Sequence, residues 1–244
     1  MRPTAKIIGH GLAVLALTLI TQIGGVAWLL ALPFRRFWLA LTATYALLWL
    51  TAFTLAPLTG RVALPCFGDS LRSQSVLYCA LNRHYVTPTL LTLTTDLAAH
   101  MATTHPGSVT LTLDAGFPFT NLPLLPHLSH DDGEKLDLAL YWENQPGRSK
   151  SPIGYWGYAS GPTNCPTRWA DLRWDMALLN AALPNWPLDA PRMKTALTFL
   201  ANDPRTGKIL IEPHIPAALA VAHPKIRFQG CRAARHDDHI HLQL

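Results

Sequence analysis

RHDDHIHLQL, residues Arg235 to Leu244, alternates along its length: in an extended strand His239, His241 and Gln243 face one way, and Ile240, Leu242 and Leu244 the other. Such a strand carries two imidazoles above an apolar underside. An earlier segment, PHLSHDDGEKLD at Pro126 to Asp137, offers it a partner. This segment holds His130 and, seven positions later, Asp137, which sits inside KLDLALYW. There Leu136, Leu138 and Leu140 alternate as a buried strand face does, so Asp137 takes the opposite face. Two imidazoles with one carboxylate form the three-ligand set of hydrolytic zinc, which leaves the fourth position open for water; a structural zinc closes it.

Outward from that pair, charge is distributed unevenly. The chain has 244 residues and a formal net charge of +5, yet Met1 to Gly60 contain no Asp or Glu, and their only cations are Arg2, Lys6, Arg35 and Arg36. The remaining 16 Lys and Arg face 15 acids, so the rest of the chain is near neutral and the positive balance is no argument for nucleic acid. Ile7 to Leu32 and Phe37 to Leu58 are uncharged apart from His10, and each is long enough to cross a hydrocarbon core of roughly 30 Å as a helix. They read as a transmembrane hairpin in contact with the lipid bilayer through residues 7–58. Both exceed the apolar core of a signal peptide, about 7–15 residues. Trp28, Phe34, Phe37 and Trp38 flank the turn as interfacial aromatics do. With the basic residues split between the N-terminus and the turn, the positive-inside count is nearly a tie.

Residues 1–60 therefore form an anchor, and residues 61–244 suit one domain. Cys66, Cys79, Cys165 and Cys231 all lie in that domain without metal-type spacing, which favours disulfides in an oxidising compartment. Three connectivities are open, and buried free thiols are the alternative. Thr94 to Met101 and Ala190 to Leu200 read as helices, Trp169 to Leu183 as another, and Ile215 to Ala222 as a short one. Val109 to Phe119 and Lys208 to Glu212 read as strands. Trp142 to Pro166, rich in Gly, Pro, Ser and aromatics, reads equally as a substrate-groove wall or a packed surface loop.

A lone His-x-His is a weak signal. Here five of eleven histidines, His127, His130, His236, His239 and His241, fall in two short segments. The PHLSH, Gly133 and Asp137 arrangement followed by HDDHIH resembles the penicillin-insensitive murein endopeptidases, within the zinc peptidases that include D-Ala-D-Ala carboxypeptidases. DPRTGKILIEPHI, Asp203 to Ile215, is similar to the strand that precedes their terminal motif. Extensin-like C-terminal domains carry a related motif pair.

The resemblance implies that one zinc ion is held by His130, Asp137 and His241, with His239 as the catalytic histidine. His127, Ser129 and His236 take supporting or substrate-binding places. It further implies a bacterial inner-membrane protein whose periplasmic domain cuts peptide cross-links between peptidoglycan stem peptides. Carboxypeptidase action on the same peptides, or a non-catalytic wall-binding module, are the alternatives. Glu134 and Lys135 depart from the usual residues between the Gly and the Asp, and no acid-plus-histidine pair supports a second metal. Asp131, Asp132, Asp237 and Asp238 read as solvated loop acids or orienters of imidazoles. The expected architecture is α+β: the helical hairpin, then a compact domain with a small antiparallel sheet carrying the zinc site.

Overall fold

In the computed structural model, which describes residues 3–119, 121–125, 127–163, 165–166 and 177–244, the first apolar run does not form one helix. Helix α1 (Pro3–Thr21) stops where Gln22 takes a left-handed φ of 66°, and α2 (Gly24–Ala31) folds back along α1. The glycine pair permits this approach: a Cβ on Gly25 would lie 2.1 Å from Thr18 Oγ1 and one on Gly24 2.6 Å from Thr21 Oγ1. Trp28 Nε1 donates to His10 Nδ1 at 3.2 Å, which fixes α2 antiparallel to α1. Helix α3 (Phe37–Leu55) then returns along α2, Thr44 Oγ1 donating to the Ala27 carbonyl. Trp28, Phe37 and Trp38 cluster edge-to-face at the turn, with ring centroids 4.7–6.1 Å apart.

Two of these helices, α1 and α3, are long and apolar enough to cross a membrane, and little of either is buried. They are not the expected hairpin. The short α2 lies between them, so α1 and α3 run in the same direction. Both end at the following domain, where Gln22 Oε1 accepts from the Phe119 amide at 3.1 Å. The start of α1, with Lys6, therefore lies at the end away from the domain, together with Arg35 and Arg36. A hairpin would set both ends of the chain on one side, and the extra reversal at Gln22 removes that reason.

After a 3-10 turn (Ala56–Thr59) come β1 (Val62–Ala63), β2 (Leu71–Ser73), α4 (Val76–Ala80), β3 (Tyr85–Val86), α5 (Pro88–Thr104), β4 (Thr110–Thr112) and β5 (Lys135–Ala139). Then follow α6 (Ala177–Asn180), α7 (Ala190–Asn202), β6 (Lys208–Leu210), α8 (His214–Ala218), β7 (Ile226–Arg227) and β8 (His239–Gln243). A six-stranded sheet has the order β2-β4-β5-β8-β6-β7, and β1 pairs β3 separately. The sheet is mixed, not antiparallel throughout: β2–β4 and β6–β7 are parallel, while β4–β5, β5–β8 and β8–β6 are antiparallel.

Leu136, Leu138, Ile240, Leu242 and Ile209 form the apolar face of the sheet and pack on Leu93, Leu97 and Met101 of α5 and on Met193, Leu197 and Leu200 of α7. Leu111, Leu113 and Ala139 belong to a second, smaller cluster with Tyr78 and Tyr155. One face of the sheet is thus closed by two helices, and the other is left for loops and the site.

Helix α5 is longer than expected because Pro88 at its first turn starts the helix well before Thr94. The strand read over Val109 to Phe119 is short. Leu113 and Asp114 still bond the backbone of Asp137; beyond them the chain leaves the sheet, and Ala115 and Gly116 pair instead with the Arg83 carbonyl and Tyr85 amide. Of the helix read over Trp169 to Leu183, residues 169–176 lie outside the described residues, and Ala177–Asn180 is helical. The four cysteines close as Cys66–Cys79 and Cys165–Cys231.

Candidate metal centre

The β5–β8 ladder sets Asp137 opposite His241 and Ala139 opposite His239. Directly paired residues in an antiparallel ladder share a face, so register alone gathers the carboxylate and two imidazoles on the face away from α5 and α7. His130 arrives from the turn that begins at His127, whose carbonyl accepts the His130 amide at 3.0 Å. His130 Nε2 lies 3.2 Å from His241 Nδ1 and 3.3 Å from Asp137 Oδ1; His241 Nδ1 and Asp137 Oδ1 are 2.7 Å apart. Tetrahedral ligands at about 2.0–2.1 Å from a metal are about 3.3 Å from one another, so two of these edges match and the third needs a small widening. His239 Nε2 stands 3.7 Å from the same carboxylate oxygen. Two groups of side chains able to hold a metal ion meet here, His127, His130 and Asp137 on one hand and His236, His239 and His241 on the other, and His130, Asp137 and His241 join them through the 2.7–3.3 Å contacts.

Partners outside this ring fix which atoms point inward. His130 Nδ1 donates to the Ala115 carbonyl at 2.7 Å, which leaves the Nε2 lone pair facing Asp137. The Tyr155 hydroxyl donates to Asp137 Oδ2 at 2.7 Å and accepts from the Asp114 amide, which leaves Oδ1 for the imidazoles. Asp238 bridges His239 Nδ1 and the Trp156 amide, 2.5 Å to each. The Gln243 amide lies 3.0 Å from His241 Nε2. Turned about its last bond it offers an oxygen there, accepting Nε2–H and keeping Nδ1 free to ligate.

Electrostatics divides the histidines by role. Burial and the neighbouring imidazoles push His241 down to about 4 against the pull of Asp137, so it is neutral and can ligate at neutral pH. Burial also disfavours charge on His127, but Asp114 and Asp137, 3.4 and 3.1 Å from its Nδ1, outweigh it and push it up to about 10. Burial works against a charged His239 too, and the Asp137 and Asp238 carboxylates raise it overall. For Asp137 itself burial favours the neutral acid, yet the surrounding imidazoles hold it well below the ordinary carboxylate range.

Behind His127, Arg83 forms a two-pronged pair with Asp114 at 2.6 and 2.8 Å and also donates to the Leu125 carbonyl. Both partners are buried. Arg83→Met leaves Asp114 buried without its counter-ion and is expected to lower the unfolding free energy by about 3–5 kcal/mol in urea titrations. The pH dependence has a definite sign. Burial raises the Asp114 carboxyl, the Arg83 hydrogen bonds more than offset this, and its folded value falls below the unfolded one. Its contribution is therefore complete above the unfolded value near 4 and is lost as pH falls through the folded value. In Arg83→Met that acid-side loss begins at higher pH.

The remaining expected site residues separate. His236 is buried with its ring centroid 4.9 Å from that of His239 and 5.6 Å from that of His241. Ser129 is exposed, and among the described residues its side chain bonds no site group. Asp131 and Asp132 pair with Lys135 outside the site, and Asp237 pairs with Arg235; only Asp238 orients an imidazole. Cys66, Cys79 and His84 also lie close together, but the disulfide withholds both sulfurs from a metal.

Asp114 and Tyr155 carried no local signal of their roles. Tyr155 belongs to the Trp142 to Pro166 loop, which is the wall of a cavity of about 460 Å³ ending at His127 and His239. Searched against family models and curated proteins, the chain matches no family model and no curated protein significantly.

Proposed function

We propose that this protein is a membrane-anchored, zinc-dependent peptidase that hydrolyses peptide cross-links between peptidoglycan stem peptides. The observation that carries the reading is the convergence of His130 Nε2, His241 Nδ1 and Asp137 Oδ1 within 2.7–3.3 Å of one another, with His239 beside them and a cavity that reaches His239 and His127. His130, Asp137 and His241 would hold the ion. When bound, zinc supplies a Lewis acid for the scissile carbonyl and lowers the pKa of water to about 7.

The chain's own residues account for the proton and charge movements. His239 Nε2 takes the proton of the attacking water and returns it to the leaving amine nitrogen, while Asp238 holds the ring through Nδ1 and stabilises its charged form. The protonated His127 ring, which borders the cavity, stabilises negative charge that develops on the carbonyl oxygen. Tyr155 holds Asp137 in its ligating orientation. Tyr155→Phe is accordingly expected to weaken zinc about 10–100-fold in competition with a chromogenic chelator, while the fold persists.

Two features support a periplasmic domain on a bacterial inner membrane. Lys6, Arg35 and Arg36 gather at the helix ends away from the domain, so the positive-inside rule puts the domain outside. The two disulfides fit an oxidising compartment. Fusion of a periplasm-dependent reporter after Leu244 tests this directly: activity is expected there, and activity of a cytoplasm-dependent reporter at the same place contradicts it.

A further inference from the structure

We infer that the site takes peptides tethered to a membrane lipid, the tether entering the cavity from the bilayer side. The inference rests on the hydrolytic reading above and adds the class of substrate.

It begins with how the domain sits on its helices. The Tyr45 hydroxyl donates to the Ala80 carbonyl at 2.6 Å, and Trp49 Nε1 to the Cys79 carbonyl at 2.7 Å, so the end of α4 is bound to the side of α3. From Tyr45 to Leu55 the helix continues for about 15 Å. Over that length Leu47, Leu50, Phe53 and Leu55 remain exposed. A helix face this apolar belongs in lipid, so α4 lies level with hydrocarbon or its boundary and not out in water.

The same short helix borders the cavity. Leu77 and Tyr78 from α4 and Leu81 just after it line it together with Leu125 and Ile153, and its polar lining includes His127, His239 and the charged Arg83, Asp114, Arg235 and Asp238. Of its apolar lining, Leu77 is 56% and Leu125 42% exposed, and Val76 and Leu128, which precede Leu77 and follow His127 in the chain, are 59% and 63% exposed. On a water-facing mouth this cluster would be costly to solvate. With α4 bound to α3, these side chains offer a slot through which an apolar chain can pass from the bilayer while the attached peptide reaches His239. The reaction is unchanged: water oxygen bonds to the carbonyl carbon, the C–N bond breaks, and the water proton goes to the amine.

A saturated acyl chain and a polyprenyl chain share this chemistry, and the test separates them. Full-length zinc-loaded protein in proteoliposomes is given one cross-linked stem peptide in three forms: palmitoylated, polyprenylated and untethered. We expect a kcat/KM about tenfold higher for at least one tethered form, chiefly through KM, and the better tether identifies the source. In Leu77→Asn/Leu125→Asn the advantage of the tether is expected to fall about fivefold, with zinc content unchanged. Equal kcat/KM for all three forms, or an advantage untouched by the double substitution, overturns the inference and leaves the hydrolytic reading standing. Cleavage of none of the three by the zinc-loaded protein counts against hydrolysis itself. Capture of tethered peptide by the proteoliposomes then decides the substrate class: capture lost in the double variant supports it, and no capture overturns it.

Discussion

His239→Ala is expected to retain zinc and lose turnover, with kcat falling about 10²–10⁴-fold, the usual contribution of a positioned acid–base group. The ring lies 3.7 Å from Asp137 Oδ1, outside the closer trio of proposed ligand atoms, and its far nitrogen is held by Asp238. Removing it leaves three donors in place. Two readouts are needed together, metal content and rate, because loss of both would make His239 a ligand and loss of neither would remove it from the chemistry. The rate is also informative through its pH dependence. Wild-type activity should fall with falling pH as His239, raised by the Asp137 and Asp238 carboxylates, becomes protonated, and the residual activity of His239→Ala should lack that limb.

Asp137→Ala is expected to lose zinc and activity together, with activity falling to the uncatalysed background. Asp137 is fully buried and lies within 2.7–3.7 Å of nitrogen atoms of His127, His130, His239 and His241. Among the described residues no other carboxylate is placed to replace it: Asp114 is committed to Arg83 and Asp238 to His239. Without Asp137 the site loses its anionic donor, and nothing among the buried imidazoles neutralises the charge of a divalent ion. Asp137→Asn preserves shape and the Tyr155 contact, so it separates charge from packing. It should remain folded and still fail to hold zinc by direct metal analysis.

Much of this centre was legible because strands encode faces arithmetically. Alternation in HIHLQL and KLDLA determines which side chains share a face, and antiparallel pairing then sets Asp137 against His241. The supports were not legible. Asp114 and Tyr155 reach the site through tertiary contacts spanning many residues, and nothing in their local sequence distinguishes them from ordinary strand and loop residues. The membrane segment failed differently. Its length and apolarity were readable, but the break at Gln22 was hidden inside an uninterrupted apolar run. The signal was the glycine pair at Gly24 and Gly25, whose missing side chains let α2 lie against α1. That reversal turns an expected hairpin into two helices running in one direction, and it gathers at one end charges that the linear sequence left undecided.

The most direct test is mass spectrometry of the products that full-length, zinc-loaded protein releases from purified peptidoglycan, with and without a chelator. The account predicts conversion of cross-linked dimers to monomers, abolished by the chelator and restored by added zinc. Release of single terminal alanines would reassign the bond to a carboxypeptidase, and no product from folded, zinc-loaded protein would contradict the account.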